Sequence, residues 1–183
     1  SAEQLSGSIM VVNPNYNFSN NSVNAGLNIS NTDRSTSTGF KSTRTGFVLG
    51  TSFEQYESVF LSPELTAAFE DIEVDESAST AIQNMEGSFF NIDLTYGITL
   101  DKRDQSFKPT EGYITTFIQS LPIVQDSSSI MNGLNISNYH DFSEDIIGSL
   151  RFHARTINGV DKDVRLTKRL YIPRNRLRGF NSY

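Results

Sequence analysis

Few side chains in this sequence could carry out catalysis. The chain of 183 residues has no cysteine and two histidines, His140 and His153. The lack of cysteine excludes thiolate catalysis, disulfides and cysteine-bound metal. His153 alternates with Arg151 and Arg155, so we interpret it as part of a polar strand face and not as a general base. The sequence contains no nucleophile elbow, phosphate-binding loop or metal-ligand spacing. We therefore expect no enzymatic activity, no cofactor and no metal.

The second chemical feature is a basic segment in an acidic chain. The formal net charge is −6, yet seven cations lie between residues 162 and 178. A stretch of this kind can bind nucleic acid, but no nucleic-acid-binding motif surrounds it. A loop that enters the lumen of a β-barrel, where acidic groups line the wall, explains the same charges, and we favour that interpretation. The seven residues are Lys162, Arg165, Lys168, Arg169, Arg174, Arg176 and Arg178.

The elements that position these side chains are predicted to be β-strands. From Phe90 to Leu100 every second residue is apolar, with Asn, Asp, Thr and Gly between them. Such alternation gives a strand one apolar and one polar face. The pattern recurs along the chain, and no segment has a convincing helical period. We therefore predict an all-β fold of eight strands, near residues 7–13, 23–30, 43–53, 59–70, 90–100, 112–122, 130–140 and 146–155.

Strand length and connections favour a membrane barrel over a soluble sandwich. Soluble strands average about 5–6 residues, whereas barrel strands need about 9–11 residues to cross a bilayer. Barrels also have short turns at one end and longer loops at the other. We predict tight turns at 53–58 and 140–145, and long polar loops at 30–41, at 71–87 and after Ile157.

The polar face of the predicted strands suits a wet lumen. We therefore favour an antiparallel transmembrane β-barrel, while a secreted β-sandwich adhesin or binding module with one solvated face stays open as the alternative. The predicted lumen-lining residues are Asp93, Arg151, His153 and Arg155.

Two motifs add to the alternation. One lies in LDKRDQSFKPTEGYITTF, residues 100–117, and the other in LYIPRNRLRGF, residues 170–180. In this order, with the strands between them, they resemble the Omp85 superfamily of outer-membrane barrels, which insert other barrels or translocate proteins. The resemblance covers about residues 87–180. The first motif comprises Asp101, Arg103, Asp104, Phe107, Pro109, Thr110 and Gly112, and the second comprises Leu177, Arg178, Gly179 and Phe180.

The resemblance implies a role for each motif. In the family, the second motif lies in the sixth extracellular loop, which folds back into the lumen, and its arginine contacts acidic residues of later strands. That role carries over to Arg178, because a carboxylate holds a guanidinium well in a confined polar space. Many members have a glycine pair before this motif, where the present chain has IPRN with Pro173. The first motif has good turn chemistry, and we expect it to fix barrel geometry.

The resemblance also implies an arrangement and a function. If the second motif marks loop six of a sixteen-stranded barrel, the chain comprises strands four to eleven. Residues 1–158 would form strands, residues 159–183 the lumen-entering loop, and the remaining strands and POTRA repeats would lie outside this sequence.

The implied function is an assembly factor that folds and inserts β-barrel proteins into the bacterial outer membrane. Its implied partners are the lipid bilayer, unfolded outer-membrane proteins and accessory lipoproteins, with no nucleic acid. The alternative within the superfamily is a protein-translocating relative, in two-partner secretion or autotransporter assembly.

Overall fold

The described part of the chain folds into one antiparallel sheet of eight strands in the order β1 to β8. The structure is a computed structural model that describes residues 3–36, 39–125, 128–143, 145–160, 163–165 and 168–170. The predicted all-β class and the strand count are confirmed. The strands are β1 (Glu3–Asn13), β2 (Ser22–Arg34), β3 (Phe40–Tyr56), β4 (Val59–Val74), β5 (Gly87–Asp101), β6 (Gly112–Val124), β7 (Ser129–Ser143) and β8 (Ile146–Gly159).

Two of the connections contain short helical structure. A single 3₁₀ turn at Tyr16–Phe18 lies between β1 and β2, and α1 (Thr80–Gln83) lies between β4 and β5. Among the described residues, no helix has the length and apolar character needed to cross a membrane.

The strand register sorts side chains onto two faces. Asp93 in β5 lies opposite Thr66 in β4, whereas the next residue, Leu94, lies opposite Leu65 in β4 and Leu121 in β6. Opposed residues of antiparallel strands share a face, and successive residues alternate between faces. We call the face that carries Asp93 the polar face and the face that carries Leu94 the apolar face.

The apolar face is open over much of its area. Large apolar side chains of β2 to β5 on this face are 40–58% exposed, although they lie in the interior of the sheet and not at its edge. A single-layer sheet with an exposed apolar face is what a membrane barrel presents to lipid. These side chains are Leu27, Ile29, Phe47, Leu49, Leu65, Phe69, Phe90 and Ile98.

The strands extend further into polar sequence than the alternation predicts. The segment 30–41, predicted to be a loop, is mostly strand, because β2 continues to Arg34 and β3 begins at Phe40. In this region Ser, Thr, Asn, Asp, Lys and Arg occupy both faces, so alternation is hidden although the ladder of backbone hydrogen bonds continues.

The connections sort by length only in part, because the tight β3–β4 and β7–β8 turns lie opposite the long β4–β5 connection but on the same side as another long one. The tight turn between β3 and β4, at Glu57 and Ser58, lies at the same end of the strands as the longer β5–β6 connection at 102–111. We call this the first end of the sheet. The β2–β3, β4–β5 and β6–β7 connections lie at the opposite end of the strands, which we call the second end of the sheet. The 102–111 connection is long because it is a structured turn with its own hydrogen bonds. In the described part of the chain, β1 and β8 each pair on one side only, so the sheet is open.

Candidate functional site

A bidentate ion pair organises the turn between β5 and β6. Arg103 Nε donates to Asp101 Oδ1 at 2.8 Å, and Arg103 Nη2 donates to Asp101 Oδ2 at 2.7 Å. The two side chains are 17% and 22% exposed. This planar arrangement is specific to a guanidinium and a carboxylate, so it fixes the direction in which the chain leaves β5.

Asp104 holds the other half of the same turn. Its carboxylate accepts hydrogen bonds from the Thr110 hydroxyl at 2.8 Å, the Thr110 amide at 3.0 Å and the Glu111 amide at 3.2 Å. These bonds hold the pKa of Asp104 below its ordinary value, and the bond from the Thr110 hydroxyl has the largest effect. Asp104 therefore acts as a charged brace across the turn.

Gly112 lets the chain enter β6 at close range. Its φ is +92°, and a Cβ there would fall onto the carbonyl oxygen of Lys102. By contrast, Phe107 takes no part in the bonding of the turn. Its ring is 79% exposed, with the Lys108 ammonium 5.6 Å from the ring centroid. The turn thus brings the charged residues of the first motif together with Thr110 and Gly112, while Phe107 projects away.

The four residues predicted to line a lumen lie on one face. Arg151, His153 and Arg155 of β8 lie opposite Ser137, Asn135 and Gly133 of β7, and the register carries this face back to that of Asp93. Two strands, β6 and β7, separate Asp93 from the β8 residues.

His153 takes part in one short side-chain contact. Its Nδ1 lies 2.8 Å from Asn135 Oδ1, which suits a structural role on the polar face. That this face lines a lumen stays a prediction.

Part of the polar face is buried toward the second end of the sheet. Ser42 donates to Glu70 Oε1 at 3.1 Å, and Glu70 is 6% exposed. Nearby on the same face, Ala68 and Asn91 are opposed in the register and are 1% and 2% exposed. These side chains are therefore shielded from water although they lie on the polar face.

The segment after β8 contacts the polar face beside this buried area. The guanidinium of Arg165 lies 3.7 Å from the centroid of the Phe89 ring. The Lys168 ammonium donates to Gln125 Oε1 at 2.9 Å, and Gln125 Nε2 in turn donates to Asp93. Burial lowers the pKa of Lys168, and the charge of Asp93 opposes that effect.

These contacts were missed by the reasoning from sequence. From the sequence, the cations of 162–178 belong to one loop in which only Arg178 has an assigned role. The signal that could have found them is the pair of acidic residues on the polar positions of neighbouring strands, Glu70 and Asp93, in a sequence whose cations gather at 162–178. The second motif, Leu177, Arg178, Gly179 and Phe180, lies outside the described residues. Within the ranges that the structure describes, no group of three or more His, Asp and Glu could hold a metal.

Eight antiparallel strands with one apolar and one polar face are typical of the barrel domains of membrane proteins. A family model described as the Omp85 superfamily domain matches residues 1–183, and the chain belongs to this superfamily.

One similar solved structure is the crystal structure of BamA from Haemophilus ducreyi lacking POTRA domains 1–3. The two share 15% sequence identity, with a TM-score of 0.75 over 90% of the present chain. The chain spans 35% of the length of that protein. A search of curated proteins found no match.

Proposed function

We propose that this chain forms part of the barrel of an outer-membrane protein assembly factor, which folds β-barrel proteins and inserts them into the outer membrane. Membership of the Omp85 superfamily supports a role in handling other proteins at that membrane. The observation that carries the proposal furthest is the segment after β8, whose Arg165 and Lys168 contact the polar face. A barrel that holds its own chain inside leaves its outer surface for contact with lipid and with other proteins.

The proposed mechanism gives each part of the chain a task. The apolar face contacts lipid, the polar face lines a wet lumen, and the turn that contains Arg103 sets the spacing of β5 and β6. Arg178, outside the described residues, would bind a carboxylate in the lumen and hold the loop in its active position. The proposed partners are the bilayer, unfolded outer-membrane proteins and accessory lipoproteins.

The test is complementation with the complete protein. Replacement of its chromosomal copy by an Arg178→Ala variant is expected to lower the amounts of several folded outer-membrane proteins. Arg176→Ala, which removes a cation two residues earlier, is the matched control and is expected to leave them unchanged. Normal growth, together with unchanged heat-modifiable gel migration of the barrel, would contradict the proposed role of Arg178.

The second candidate is a protein-translocating relative within the superfamily, as in two-partner secretion or autotransporter assembly. The family match supports it equally. Loss of one secreted protein in a null strain, with the bulk of the outer-membrane proteins assembled normally, would favour translocation over insertion.

A further inference from the structure

We propose that Arg165 and Lys168 form an internal anchor, which holds the segment after β8 on a receptor made by Phe89, Asp93 and Gln125 of the same chain. This anchor lies before the arginine motif at 177–180 and has its partners within β5 and the connection after β6. The anchor uses the same contacts that support the proposed function, but it concerns where the chain binds to itself and does not require the assembly activity.

The first half of the anchor is a cation on an aromatic ring. Phe89 lies on the polar face, two residues before Asn91 on the same strand, and its ring faces the guanidinium of Arg165 at 3.7 Å. Arg165 is partly buried. A guanidinium over a ring face gains more when both are shielded from water. Phe89 is therefore the aromatic exception on a face whose neighbouring β5 positions are Asn91, Asp93 and Thr95.

The second half is a relay of polar groups. Lys168 donates to Gln125, and Gln125 donates to Asp93. The Lys168 ammonium interacts electrostatically with both Asp93 and Glu70. Two carboxylates of neighbouring strands thus face the cations of the segment, with Arg44 on the same face as a competing cation. The negative charges of Glu70 and Asp93 explain why a basic segment binds at this place on the polar face.

Geometry gives the anchor a consequence for the rest of the loop. Arg165 and Lys168 are three residues apart and contact β5 and the β6–β7 connection at separate points. Two separate contacts fix both the position and the direction of a segment, whereas one contact leaves rotation free. The anchor thus sets the starting point from which the chain runs on to residue 177.

Limited trypsin digestion of the complete protein in detergent micelles tests the anchor. Trypsin cleaves segments that are free of other contacts, and Lys168, directly before Arg169, is bound to Gln125, so the rate of cleavage after Arg169 reports release of the segment. Phe89→Leu is expected to speed this cleavage about fivefold, as for loss of a shielded cation–π contact when cleavage follows the open population. Phe90→Leu is the matched control, since it removes a ring from the adjacent residue on the apolar face, and it is expected to leave the rate unchanged.

A double-mutant cycle tests the pairing itself. Arg165→Met, which keeps an apolar arm and loses the charge, is expected to speed cleavage as Phe89→Leu does, and the double variant no further. Asp93→Asn is expected to speed cleavage at low salt, with the difference shrinking as salt is added. Heat-modifiable migration of each variant shows that the barrel is folded.

Two results would overturn the anchor. One is a cleavage rate after Arg169 that is the same in folded Phe89→Leu, Phe90→Leu and wild-type protein. The other is full additivity of Phe89→Leu and Arg165→Met, which would mean that the ring and the guanidinium act separately. Neither result depends on whether the protein inserts or translocates its clients.

Discussion

Arg103 binds the carboxylate of Asp101, two residues earlier in the chain, through two parallel hydrogen bonds of 2.8 and 2.7 Å. The pair lies where β5 ends and the turn begins, so it joins the geometry of a strand to that of its connection.

The first prediction concerns this pair. Arg103→Lys keeps the charge but cannot make two parallel bonds, and we expect it to lower the free energy of unfolding by about 1–2 kcal/mol. Urea unfolding in detergent micelles measures the change. Lys102→Arg, a charge-conserving exchange at the exposed neighbour, serves as the control, and an equal effect of both exchanges would contradict the role of the pair.

The second prediction concerns Gly112. Gly112→Ala places a Cβ on the carbonyl oxygen of Lys102 at a φ of +92°, and we expect a loss of stability of about 2–3 kcal/mol or a failure to fold. Gly97→Ala provides the contrast, because its Cβ meets nothing closer than 3.8 Å. Thermal unfolding of both variants checks the difference. Equal melting temperatures would show that the turn relaxes freely.

The third prediction is a titration. The pKa of Asp104 is lowered by its hydrogen bonds, with the Thr110 hydroxyl as the largest cause. A lowered pKa in the folded state means that the brace contributes fully above the ordinary pKa of aspartate. The contribution is lost as the pH falls through the folded-state value. The ¹³C shift of the Asp104 carboxyl, followed by NMR against pH, is expected to titrate below 3.8 in the wild type. In Thr110→Val it is expected to titrate closer to 3.8, and an unchanged titration would exclude the hydroxyl as the main cause.

The fourth prediction assigns the lipid-facing side. Leu94→Arg on the apolar face, in the middle of β5, is expected to cost about 2–4 kcal/mol in a bilayer. Thr95→Arg lies on the polar face opposite Glu64 and is expected to cost far less. Folding yields into lipid vesicles compare the two. A larger loss for Thr95→Arg would assign the faces the other way round.

Sequence reasoning succeeded where one face is apolar and the other polar. β5 was predicted almost to its ends because Phe90 to Leu100 alternate without a break. It failed at the start of β3, where Lys41, Ser42 and Thr43 put polar groups on both faces. Alternation signals that the two faces of a strand lie in different environments. Toward the second end of the sheet both faces carry polar side chains, so the signal is lost although the strand continues.

The candidate site was predictable in part for a related reason. The turn motif is local, so the pairing of Asp101 with Arg103 follows from neighbours in sequence. The contact of Arg165 with Phe89 joins residues far apart in the chain. Phe89 also breaks the polar pattern of its face, and a pattern cannot say which distant residue its exception serves.

The β2–β3 pair has a consequence for the evolution of this sequence. Asn28 and Asn24 lie opposite Gly46 and Gly50, and a Cβ on Gly50 would come within 2.7 Å of the Asn24 side-chain oxygen. Each asparagine therefore occupies space that its glycine leaves vacant. A larger residue at 50 requires the Asn24 side chain to turn away or to be replaced, so positions 24 and 50 are expected to change together.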